Sequence, residues 1–68
     1  MSYYHITTDG RIREISRKDY DTYRHYKRPR LTVCVDSFVY IEQGKNRLWI
    51  NRKQANALAR LLGKEVVK

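Results

Sequence analysis

Between residues 31 and 42 the side chains alternate without a break. Leu31, Val33, Val35, Ser37, Val39 and Ile41 fall on odd numbers, and Thr32, Cys34, Asp36, Phe38, Tyr40 and Glu42 on even ones. Strict period-two alternation is the signature of β-structure with one buried face. A single strand of this length would extend about 40 Å at roughly 3.3 Å per residue. That is too long for a body of 68 residues. A bend or break is therefore expected near Asp36-Ser37, splitting the run into two strands.

Gln43-Gly44-Lys45-Asn46 supplies the next turn. Gly44 accepts positive φ at no steric cost, so Gly44-Lys45 suits a two-residue type II′ hairpin. In that register Glu42 faces Arg47, Ile41 faces Leu48, Tyr40 faces Trp49 and Val39 faces Ile50. Charge meets charge, ring meets ring and aliphatic meets aliphatic, as a correct register requires.

A helix follows at once. Asn51 is a good N-cap, Gln54 can close a capping box, and Gly63 stands where a C′ stop belongs. Ala55, Leu58, Ala59 and Leu62 lie at i, i+3, i+4 and i+7 and form one apolar stripe. This stripe and the aliphatic face of the hairpin are the two sizeable apolar surfaces of the chain. They are predicted to pack on each other.

Upstream, Asp9-Gly10 between β-type residues predicts a hairpin with strands near 3–7 and 11–15. Ser16 followed by Asp19 has a capping-box form, and a short helix over residues 17–26 would line up Tyr20, Tyr23 and Lys27. Pro29 drives Arg28 out of the α region and ends whatever precedes it. The tail after Gly63 either frays or adds an edge strand through Val66 and Val67. The fold class is thus α+β. A small antiparallel sheet of three to five strands carries a C-terminal amphipathic helix on one face, with a second short helix near 17–26. All of it belongs to one domain, residues 1–68.

A core this small contributes little net stability, on the order of 3–5 kcal/mol, so a homodimer or a bound partner would help it. Fifteen Lys and Arg against seven Asp and Glu give a net charge of +8. The ordinary reading of such a field on a short chain is attraction to a polyanion, and simple solubility is the bland alternative. No apolar run has signal-peptide or transmembrane length, which places the expected compartment in the cytoplasm. The single Cys34 excludes an internal disulfide, and its mid-strand position makes it a small hydrophobic filler.

Three groups of residues are candidates for function. Phe38, Tyr40, Arg47 and Trp49 share the sheet face opposite the aliphatic one. Flat rings for bases and a cation for phosphate are what a single-strand stacking platform needs. The same face would equally make a second small core under the N-terminal elements, or a homodimer or partner interface, where Trp, Tyr and Arg are the usual anchors. At the helix start, Arg52 and Lys53 occupy a first turn without a carboxylate. With Lys45 and Arg47 they are expected to form a phosphate site at one end of the molecule. The run Tyr20 to Arg30 interleaves Tyr20, Tyr23 and Tyr26 with Arg24, Lys27, Arg28 and Arg30. This pattern suits a nucleic-acid backbone and exposed bases, and equally a loop whose tyrosines pack down and whose cations face water.

His5 and His25 belong to no metal-spacing motif, and no glycine-rich phosphate loop or nucleophile elbow is present. The chain therefore reads as non-enzymatic, with no cofactor or metal. The run Gly44-Lys45-Asn46-Arg47-Leu48-Trp49-Ile50-Asn51-Arg52-Lys53-Gln54 and the apolar helix after it resemble the closing turn, strand and helix of the single-stranded-DNA-binding transcriptional coactivator family. That family's proline-rich spacer and upstream strand motif are missing here. The leading expectation is a small module that binds nucleic acid, single-stranded DNA or RNA before duplex. The competing class is a small phage- or mobile-element-type protein that binds a host protein to inhibit or adapt it.

Overall fold

The computed structural model describes residues 1–66 of the chain. The elements are β1 (Ser2–Ile6), β2 (Ile12–Ile15), α1 (Arg17–Tyr23), β3 (Leu31–Val35), β4 (Phe38–Gln43), β5 (Asn46–Asn51) and α2 (Arg52–Val66). The strands make one five-stranded sheet in the order β2-β1-β3-β4-β5, antiparallel at every pairing. This is the expected α+β class with both expected helices.

The long alternating run is two strands, and the break at Asp36-Ser37 is a complete reversal. Val35 pairs with Val39, Cys34 with Tyr40, Val33 with Ile41 and Thr32 with Glu42, and the Asp36 amide donates to the Phe38 carbonyl at 2.9 Å. Paired residues share parity, so folding the run back on itself leaves odd and even side chains on separate faces. The next hairpin has the expected register: Glu42 opposite Arg47, Ile41 opposite Leu48, Tyr40 opposite Trp49, Val39 opposite Ile50. Gly44 takes φ +61° while Lys45 stays at negative φ, the combination a II′ turn demands. A Cβ on Gly44 would lie 2.8 Å from Pro29 Cγ, so the glycine also lets the 24–30 loop close over the turn.

The first hairpin closes between Thr7 and Arg11. Gly10 donates to the Thr7 carbonyl at 3.0 Å, Thr7 to the Arg11 carbonyl at 2.9 Å, and Gly10 sits at φ +88°. A tight turn ended by a left-handed glycine is the usual three-residue hairpin loop. Helix α1 starts at Ser16, whose Oγ accepts from the Asp19 amide at 3.1 Å. It ends at Tyr23, three residues before the expected limit. Residues 24–28 continue as turns and bends ahead of Pro29.

Helix α2 carries the reciprocal capping box. Gln54 N donates to Asn51 Oδ1 at 2.8 Å and Asn51 N to Gln54 Oε1 at 3.0 Å. The helix passes through Gly63 to Val66 instead of stopping. A glycine inside a helix costs about 1 kcal/mol against alanine, and the helix-forming Lys64 and Glu65 carry the turn on. The edge strand once expected through Val66 and Val67 is absent at Val66, which is helical, and Val67 lies outside the described residues. No helix among the described residues is long and apolar enough to cross a membrane.

Helix α1 lies against β1, whereas α2 meets chiefly β5 and β4. The stripe of α2 remains largely open, with Ala55 half-buried and Leu58, Ala59 and Leu62 exposed, as is the neighbouring Leu61. The expected closure of this stripe over the hairpin is thus no more than partial. An α2 that begins one residue after β5 has no connecting loop to lay it back along the strands.

Candidate functional site

Pairing divides the sheet into two faces. Tyr3, His5, Thr32, Cys34, Phe38, Tyr40, Glu42, Arg47 and Trp49 share one of them. Helix α1 covers the β1–β3 half of this face. Tyr20 lies 4.7 Å from Tyr3, and Tyr23 stands edge-on to His5 at 5.4 Å, between ring centroids. The β4–β5 half is left open.

At the boundary between the halves sits Glu42, 3% exposed. Its carboxylate accepts from the Tyr20 hydroxyl and from the Arg24 guanidinium, with Arg47 Nη2 3.4 Å away. Burial pushes this carboxyl up, but the hydrogen bonds from Tyr20 and Arg24 and the charges of Arg24 and Arg47 outweigh it. The net result is a Glu42 held below the ordinary carboxylate range and ionised at neutral pH. Burial, and then the hydrogen bond to Glu42, push the Tyr20 hydroxyl far up. His5 is lowered by burial and by the charges of Arg30 and Arg13, and Cys34 is raised by burial and by Asp36 and Glu42. The sequence pairs Glu42 with Arg47 but gives no sign that the carboxylate lies beneath the surface. Its even position among Thr32, Cys34 and Tyr40 is the one available signal.

Outward from Glu42 the open half forms a groove of about 450 Å³ lined by Phe38, Tyr40, Glu42, Arg47, Leu48 and Trp49. Trp49 is 62% exposed, and Phe38 meets it edge-on at 5.2 Å. Side chains two apart on a strand stand about 6.6 Å apart, so Arg47 and Trp49 make a short row of cation and ring. Arg47 also borders a second groove of about 690 Å³ with Arg24, His25, Tyr26, Pro29, Gly44 and Lys45. The 24–30 loop and the β4–β5 turn, distant in sequence, therefore meet here. Gln43 Nε2 reaches the Pro29 carbonyl at 3.4 Å.

The candidate cations do not form one cluster. Lys45 and Arg47 lie at the turn end of β5, whereas Arg52 and Lys53 follow its other end, about 20 Å away along an extended strand. The expected four-cation site at one end of the molecule is thus divided, because a strand separates its own termini. The start of α2 is also capped, its Gln54 amide donating to Asn51 Oδ1. Arg52 Nε donates to the Asp36 carbonyl at 3.0 Å, and Lys53 is exposed. Arg24 is committed to Glu42. Arg30 lies over Tyr23 and Tyr26 at 4.9 and 5.4 Å, while Lys27 and Arg28 are exposed. Among the described residues no cluster of His, Cys, Asp and Glu is placed to hold a metal ion.

No family model, curated protein or solved structure matches this chain. The likeness of residues 44–54 to the coactivator family therefore rests on that segment alone.

Proposed function

We propose that the chain is a non-enzymatic nucleic-acid-binding module that engages single strands along β4 and β5. The observation that carries this reading is Trp49, 62% exposed and on one sheet face with Phe38, Tyr40 and Arg47. Bases would stack on Trp49 and Tyr40, and the backbone would run past Arg47 and Lys45 toward the 24–30 loop. Glu42, the one carboxylate lining the groove, already carries cationic partners, so its repulsion of phosphate is largely offset. Duplex is a poorer fit, because the row of rings needs unpaired bases to stack on.

The test is titration with fluorescent single-stranded DNA, RNA and duplex at two salt concentrations. Single strands are expected to bind best and to quench Trp49 emission. Affinity should fall with salt at a log–log slope of about −0.7 per phosphate neutralised. Absence of binding to every nucleic acid at low salt would overturn the proposal. It would turn attention to a protein partner, the other use of an exposed Trp, Tyr and Arg.

A further inference from the structure

The opposite face of the sheet is mainly aliphatic, with Tyr4 and Glu14 toward the β1–β2 side. Ile6, Val33, Val35, Val39, Ile41 and Ile50 are half-buried there, and Ile12 and Leu48 are exposed at its two flanks. An apolar dish of about 320 Å³ lies between Tyr4, Ile6, Ile12, Val33 and Val35. A sheet face of this composition is stable only against a second layer, and α1 lies on the other face, over its β1–β3 half.

The size of the uncovered surface indicates what the second layer is. The chain exposes 5863 Å², whereas a compact monomer of its mass exposes about 4,500 Å². The excess, about 1,300 Å² per chain, is shared with the open groove and the exposed leucines of α2. It is of the order that one subunit contributes to an obligate homodimer, whose interfaces bury upward of about 2,000 Å² in total. The radius of gyration of 12.5 Å likewise exceeds the roughly 11 Å of a compact chain this long. Charge agrees with area. Of the strand residues on this face only Glu14 is charged. Two copies carrying +8 each can thus meet here with no strand cation at the contact.

We propose that this aliphatic face is the interface of a symmetric homodimer, two sheets packing face to face. Antiparallel sheets pack in this way about 10 Å apart, and a two-fold axis matches the patch with itself. The grooves beside Trp49 then point outward on opposite sides. The inference concerns the other face of the sheet and stands whether or not the grooves take nucleic acid.

Val33, the middle residue of the central strand, is the residue to charge. Light scattering coupled to gel filtration should give the wild type twice the 8.2 kDa of one chain, and its Tm should rise with protein concentration. Val33→Glu and Val33→Lys should each lose the dimer, as single chains or unfolded, and an equimolar mixture of the two should regain the doubled mass. A wild type of single-chain mass with a concentration-independent Tm overturns the proposal and leaves the face to a different protein. A Val33→Glu protein that keeps the doubled mass overturns it too, as does a mixture that stays dissociated.

Discussion

The two faces of the sheet are held by different physics. Under α1 the most buried side chains are polar or amphipathic: Tyr20, His5, Thr32 and Glu42, with Cys34 the one small apolar member. Each hydrogen bond there has a direction, and one carboxylate gathers a hydroxyl and two guanidinium groups. The other face is aliphatic, undirected and only half-buried within one chain. The comparison separates apolarity from burial. In a small sheet the side that is covered need not be the greasier one, and the greasier one then awaits a second layer.

The comparison breaks most readily at Glu42. Glu42→Gln leaves Arg24 and Arg47 without a counter-charge over a buried site. Since Arg24 is partly and Arg47 mostly exposed, a loss of about 2–3 kcal/mol is expected, below the full cost of a broken buried pair. Urea unfolding reads it, and an unchanged midpoint would mean that the polar cluster does not hold the covered face. Trp49→Ala sharpens the contrast between holding and binding. It should remove about 1–3 kcal/mol of single-strand affinity while the unfolding midpoint stays within experimental error. Gly44→Ala is next, because alanine at φ +61° must also push Pro29 aside. It should cost about 1–2 kcal/mol and displace the 24–30 loop, visible as a changed Tyr26 environment in NMR spectra.

Acid should weaken the covered face in two stages. His5 is lowered from 6.5 by burial and nearby arginines, so its stabilisation is full above that value and fades as pH falls through the lower folded one. Glu42 is held below 4.5 despite burial, so its share is present above that value and is lost as pH falls further. In Glu42→Gln the second stage should vanish from the pH dependence of Tm while the first remains.

Much of this architecture was legible in the residues. The alternation of 31–42 fixed which side chains share a face, Gly44-Lys45 fixed the β4–β5 register, and Asn51 with Gln54 fixed the start of α2. These are local rules that a neighbour rarely overrides. The sequence left two matters open. Period two cannot say which face is covered, so the buried state of Glu42 was invisible until α1 brought Tyr20 and Arg24 over it. Proximity along the chain also misled at Lys45, Arg47, Arg52 and Lys53, where an intervening strand holds near neighbours apart. Conversely, the meeting of the 24–30 loop with Lys45 depends on Pro29 resting against Gly44, a contact between residues without any shared pattern.

The lone thiol at the middle of the covered face has a use of its own. Cys34 is 5% exposed, and its raised pKa keeps it protonated, so alkylating reagents should be slow to reach it in the folded chain. Labelling is gated by the lifting of α1 from this face of the sheet. The rate at which the unmodified protein takes up a maleimide is thus a clock for that opening, with no engineered probe required.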